Sequence, residues 1–260
     1  MVQAGRVMDA YVHPAFPQPE NQDCILWRYI DLWKFEWLAS WCRLLMPAAR
    51  CLGDPLEGTR PGGDIRWWDR QVASTCSPER RRVAVHNHRF ISAAAAMVRE
   101  SAFVSCWSMN ARESLQMWSC YTTGPDSVAV CTTYGTLRRL LPKYVECGVV
   151  RYVEHPSARF PTFNIFEYVM HKDSQYRFEN EARAVAFQPA TGPQGLSEFR
   201  QHLFESETKP DFHVFAPPVD LGTLVTRVVL HPGATGDVAD VVRQWCSERA
   251  IPAPVQSELR

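Results

Sequence analysis

Phe103-Val-Ser-Cys-Trp-Ser108, Gln116-Met-Trp-Ser-Cys-Tyr121 and Val128-Ala-Val-Cys-Thr132 read in order as a strand, a short helix and a second strand. An apolar run ends in small hydroxyl residues, and the helix carries the aromatic pair Trp118 and Tyr121. Upstream, Ile25-Leu-Trp-Arg-Tyr-Ile30 reads as a first strand. Asp31 is placed to cap a helix running to about Met46, because Leu32, Phe35, Leu38, Trp41 and Leu45 recur at helical spacing. Pro47 ends it. The segment Gly53-Asp-Pro-Leu-Glu-Gly58 and the Gly/Pro-rich run to Gly63 read as a loop.

A second helix is predicted over residues 82–100, with Val85, Ile91, Ala95 and Val98 on one side. Asn110-Ala-Arg-Glu113 has the pattern of a capping box opening the helix that reaches Tyr121. Further strands are predicted over 149–153, 181–187, 213–216 and 224–230, with Val255 in a terminal strand. Helices are predicted over 134–141 and 237–249. Phe163, Phe166, Val169 and Met170 favour helix in 161–172. Strands and helices mix without a regular βαβ rhythm. That predicts an α+β chain with one domain and a mixed or mainly antiparallel sheet flanked by helices. Residues 1–23, with Pro14, Pro17 and Pro19, read as a poorly ordered lead-in, and residues 24–260 as the domain.

The 260 residues are 46% hydrophobic, enough for a substantial core, and 28 basic residues balance 28 acidic ones. No whole-molecule field draws nucleic acid or an anionic membrane, though nucleic acid stays open as a partner. The first twenty residues lack the apolar core of a signal peptide, and no apolar run is long enough for a membrane span. Nine cysteines scatter without a CxxC pair, which suits buried thiols in a reducing cytoplasm and argues against a zinc ribbon.

Nucleophile-elbow, P-loop, dinucleotide-fingerprint and HExxH motifs are all absent. His86 and His88 diverge on a helix, and no metal is expected. Arg80-Arg-Arg82 reads as a solvated helix start. Glu179-Asn-Glu181 carries more chemistry. Two carboxylates at i and i+2 of a strand share a face, repel, and raise at least one pKa. Arg183 continues that face. Arg28 sits between Trp27 and Tyr29 in an apolar strand. It holds a phosphate, pairs with a carboxylate such as Glu181, or points to water. Trp118 and Tyr121 either stack on a planar ring or pack in the core. Asp54 and Glu57 add two loop carboxylates, commonly turn formers.

Trp27-Arg-Tyr29, Gly53-Asp-Pro-Leu-Glu57, Ser105-Cys-Trp-Ser108, Met117-Trp-Ser-Cys-Tyr121, Phe178-Glu-Asn-Glu-Ala-Arg183 and Val255-Gln-Ser-Glu-Leu259 stand in one order along the chain. In that order they resemble the DUF2971 family of bacterial domains, which occur near mobile and phage-defence genes. The chain departs from that pattern at Cys120, where the family has His, at Pro125–Val130, and at Ala182, where it has Trp. Arg28, a serine strand and an E-x-E are also similar to ADP-ribosyltransferases of the Arg-Ser-Glu type.

That resemblance implies NAD as substrate, with ADP-ribose passed to a macromolecular acceptor or NAD hydrolysed. Arg28 would bind the pyrophosphate or ribose, and Ser108 would buttress the site. Trp118 or Tyr121 would stack on nicotinamide, and Tyr29, Ser119 and Arg183 would complete the contacts. Glu181 would stabilise the ribosyl cation, and Glu179 would orient the nucleophile. Two other readings stand beside it. Asp126, Glu181 and Arg183 loosely match a metal-dependent nuclease layout, and the chain also suits a non-catalytic sensor or interaction module.

Overall fold

The computed structural model describes residues 13–160, 164–187 and 214–259. The strands are β1 (Ile25–Asp31), β2 (Met46–Pro47), β3 (Ala102–Met109), β4 (Ser127–Thr133), β5 (Val145–Val149), β6 (Arg151–Val153), β7 (His171–Asp173), β8 (Glu181–Phe187), β9 (Val214–Phe215) and β10 (Arg227–Leu230). The helices are α1 (Leu32–Trp41), α2 (Gly62–Ser74), α3 (Pro78–Ser101), α4 (Leu115–Tyr121), α5 (Tyr134–Leu140), α6 (Glu167–Met170), α7 (Leu221–Leu224) and α8 (Gly236–Glu248). Six strands form one sheet in the order β10-β4-β1-β3-β8-β5, every neighbour antiparallel. Two-stranded pairs β2-β9 and β6-β7 lie beside it. The fold is α+β, as expected.

Alternation along the strands sorts the core. On one face Leu26, Ile30, Phe103, Trp107, Val128, Val130 and Ala184 join α1, α5 and α8 in a continuous apolar cluster. The opposite face carries two separate clusters. Val104 and Val185 pack under α3 and α6, and Trp27, Tyr29 and Ala129 pack under α4. This division matters, because the sheet itself is split at the same place. Along β4, β1 pairs over all seven residues, but it meets β3 only at Leu26↔Met109 and Trp27↔Ser108. Beyond Trp27 the chain segment 45–48 enters the gap. Ala48 bridges Phe103 of β3, and the Leu45 carbonyl accepts from Arg28 Nη2 at 2.7 Å.

Several boundaries differ from the sequence reading for local reasons. α1 stops at Trp41 because Cys42 takes a left-handed conformation, φ 49°. α3 begins at Pro78, four residues earlier than expected, with Ser77 as its cap, and α2 occupies residues read as loop or left unassigned. Ser114, not Asn110, caps α4, its hydroxyl accepting from Met117 N. The strand expected over 149–153 divides into β5 and β6, and only Glu167–Met170 is helical in the ambiguous 161–172 stretch, whose residues 161–163 lie outside the described residues. His213 lies outside them too, as do residues 1–12 of the expected lead-in.

Residues 13–23 correct that expectation. Ala15 and Phe16 are fully buried, and Phe16 packs edge-to-face on Phe166 at 5.1 Å. Val149 N donates to the Pro17 carbonyl at 2.8 Å, and the Gln18 side-chain oxygen accepts from Tyr134 and Arg138. Gly148 permits this approach, since a Cβ there would sit 2.7 Å from the Phe16 Cα. Among the described residues no helix is long and apolar enough to cross a membrane.

Candidate active site

The split between β1 and β3 opens a cleft of about 300 Å³, lined among others by Arg28, Cys106, Ser108, Tyr121, Glu179 and Glu181. Alternation alone would keep these groups apart. Arg28 belongs to the face of Leu26 and Ile30, whereas Ser108 pairs with Glu181 on the opposite face. The gap exposes both faces to one cavity.

The turn that delivers the carboxylates is stitched to the end of β3. Ser108 Oγ donates to the Glu179 carbonyl at 2.8 Å and accepts from Asn110 Nδ2 at 2.6 Å. Met109 N donates to the Asn180 carbonyl at 2.7 Å, and the Asn180 side chain donates back to the Met109 carbonyl. Glu179 ends a 3-10 turn, and Asn180 takes the left-handed conformation with φ 42°. Asparagine tolerates that region better than most residues. The strand therefore begins at Glu181, and the two carboxylates converge through this turn rather than through strand alternation.

Below the cleft lies a buried charge network. Arg183 is fully buried and bonds both Glu57 oxygens, at 2.6 and 2.9 Å. It also bonds both Glu181 oxygens, at 2.8 and 3.0 Å, and the Val169 carbonyl at 2.5 Å. Lys172 on β7 reaches Glu179 Oε2 at 2.5 Å and Glu181 Oε2 at 3.4 Å, with its ammonium 4.7 Å from the Tyr176 ring centre. Burial opposes the Glu181 charge, but Arg183 and Lys172 outweigh it and hold the carboxyl down to about 2. Glu179 goes the other way. Burial and the neighbouring Glu181 push it above its ordinary 4.5, against the pull of Lys172 and Tyr121.

Three carboxylates thus share two cations, and the least satisfied of the three is Glu179, which has Lys172 on one oxygen only. Its Oε1 is buried without a hydrogen bond of normal geometry, although the Tyr121 hydroxyl lies close enough to influence its titration. Across the cleft stands an unmatched positive charge. Arg28 forms no ion pair among the described residues; it bonds the Leu45 carbonyl and stands 5.7 Å from the Trp107 ring centre. Burial draws its pKa down to about 10, so it remains a cation at neutral pH.

The structure brings Arg28, Tyr29, Ser108, Tyr121, Glu179 and Glu181 to one cleft. It does not form the anticipated Arg28–Glu181 pair, because Arg183 and Lys172 occupy that carboxylate. Three expected contacts are corrected. Trp118 is buried against Tyr29 and His231, with its indole N–H on Glu113. Ser119 is exposed outside the cleft lining. Arg183 lies beneath the site with its donors committed to protein. Cys120 is likewise exposed and off the lining, while Ala182 packs in the core.

Asp126 sits one residue before β4, level with the far end of β1, whereas Glu181 is level with Trp27. About five strand residues, roughly 16 Å, separate those levels, so the nuclease trio does not assemble. Among the described residues no three His, Cys, Asp or Glu side chains gather where they could hold a metal ion. Lys172 is the functional neighbour that sequence reading leaves out, since no periodic signal marks it; Glu57, one of the two loop carboxylates, pairs with Arg183 beneath the cleft. In comparisons with known proteins, no family model matches this sequence and no curated protein is significantly similar to it.

Proposed function

We propose that the cleft binds NAD and cleaves its nicotinamide–ribose bond, passing ADP-ribose to water or to a nucleophile on a macromolecule. The observation that carries this reading is one cavity lined by both Arg28, a cation without an ion pair among the described residues, and Glu179, a carboxylate held by Lys172 on one oxygen only and left without a hydrogen bond on its buried Oε1. Arg28 suits the pyrophosphate, because a desolvated guanidinium binds a phosphate more strongly than water-exposed lysine does. Glu179 suits the ribose carbon, where positive charge develops as the C1′–N bond breaks and neutral nicotinamide leaves with the bonding electrons. The acceptor oxygen then bonds C1′ and gives up its proton.

The two acidic roles are therefore exchanged relative to the family resemblance. Glu179 meets the cation, and Glu181, already neutralised by Arg183 and Lys172, fixes the Lys172 ammonium beside it. Tyr121 is 38% exposed at the mouth and offers a ring face to nicotinamide. A cavity of this size encloses the nicotinamide riboside end. All nine cysteines are free thiols, which supports a reducing cytoplasm as the working compartment.

Incubation of the protein with NAD, followed by chromatographic detection of free nicotinamide, tests the reading. Release is expected, and its rate falls on the acid side with a midpoint above 4.5, since Glu179 acts ionised and its pKa is raised. Absence of release at every pH, with no binding of NAD, contradicts it.

A further inference from the structure

Helix α3 buries Ile91, Ala95 and Val98 on its inner side, yet three large apolar residues stand exposed on its outer side. Val83 is 59% exposed, Phe90 66% and Met97 42%. Singly exposed apolar residues need no explanation. These three recur at seven-residue spacing along a helix of 24 residues, roughly 36 Å long. The exposed small residue Ala93 lies three positions after Phe90, and His86 lies three after Val83. A seven-residue apolar repeat, with the small Ala93 between Phe90 and Met97, is a seam along which a second helix packs.

Charge stands beside that seam. Arg82 and Arg89 each precede a seam residue, and with Arg81, Val85 and His86 they line a groove of about 560 Å³. Neither Arg82 nor Arg89 forms an ion pair among the described residues. The acidic residues at the ends of the helix do not fill this role. Glu79 lies in the first turn, and Glu100 is bonded to Arg50 at 2.6 Å.

We propose that the outer face of α3 docks an amphipathic helix of a partner protein whose apolar seam is flanked by acidic residues. A second copy of this chain fits poorly. Parallel pairing would set Arg82 and Arg89 opposite the positions of Asn87 and Ala94, with no charge to meet them. Antiparallel pairing would bring the arginine edges together. A nucleic acid would use the arginines and leave the apolar seam unused. This surface is independent of the cleft chemistry.

Fluorescence anisotropy with three labelled 21-residue peptides tests the proposal on the full chain. One peptide carries a leucine seam flanked by glutamates, one is its scrambled equivalent, and one has lysine in place of glutamate. The seam peptide with glutamates is expected to bind. Phe90→Asp, or Arg82→Glu with Arg89→Glu, weakens it at least tenfold, and the double reversal binds the lysine peptide instead. All three substituted sites are exposed, and circular dichroism checks that the variants stay folded. Equal binding of the scrambled peptide, or no binding of the seam peptide, overturns the proposal. So does a dimer in sedimentation equilibrium that Phe90→Asp dissolves, or a photo-cross-linker at Phe90 that reacts within its own chain.

Discussion

Glu179→Gln is expected to lower nicotinamide release by about 10²–10³-fold, the scale on which removal of one preorganised electrostatic group acts. Affinity for NAD changes little, because the lost interaction grows only as charge develops at the ribose carbon. Stability moves in the opposite direction. Glu179 is a buried carboxylate with an unpartnered oxygen, raised above its ordinary pKa by burial and by Glu181. Neutral glutamine keeps the shape and removes one of the three carboxylates that share two cations, while its amide oxygen can still accept from Lys172, which also retains Glu181 at 3.4 Å. A slower and more stable variant is the signature of a site that gives up stability for chemistry. Rate assays and thermal unfolding on the same sample check both halves. A variant with unchanged release assigns the carboxylate no part in the reaction.

Arg183→Met is expected to destabilise the chain by about 3–5 kcal/mol, because it leaves Glu57 and Glu181 buried without their forked partner. That is a large share of the roughly 5–15 kcal/mol typical of a folded domain. Arg183→Lys also loses stability, since an ammonium cannot reproduce four guanidinium bonds to two carboxylates. Adding Glu57→Gln to Arg183→Met restores part of the loss by removing one orphaned charge. Urea unfolding followed by tryptophan fluorescence reads all three. Loss below about 1 kcal/mol for Arg183→Met means that the network is solvated rather than buried.

The strand signals in Ile25–Ile30, 103–108, 128–132 and 181–187 correspond to β1, β3, β4 and β8, so the centre of the sheet was legible from short, mostly apolar runs, which the structure buries on both faces. Helix α2 was not. Its glycine-led start is held by the His155 carbonyl, which accepts from Gly62 N at 3.0 Å, and lies so close to the loop carbonyls of Pro156, Ser157 and Ala158 that a Cβ would not fit, a tertiary contact that leaves no periodic trace. The site was half legible. Arg28 and the acidic doublet stand out because charge inside apolar strands is costly. Their convergence was not readable, because strand alternation sends Arg28 and Glu181 to opposite faces and only the gap between β1 and β3 reunites them. The exchange of roles between Glu179 and Glu181 follows from Lys172 and Arg183. Lys172 arrives from a three-residue strand with no signature of its own.

Isothermal calorimetry of NAD against wild type and Arg28→Ala tests most directly whether two opposed charges frame one ligand. The account predicts one site per chain in the wild type. It predicts at least tenfold weaker binding in the variant, which stays folded at the assay temperature, with the affinity for nicotinamide riboside, which lacks the pyrophosphate, equal in both proteins. Equal affinity of wild type and Arg28→Ala for NAD would contradict it.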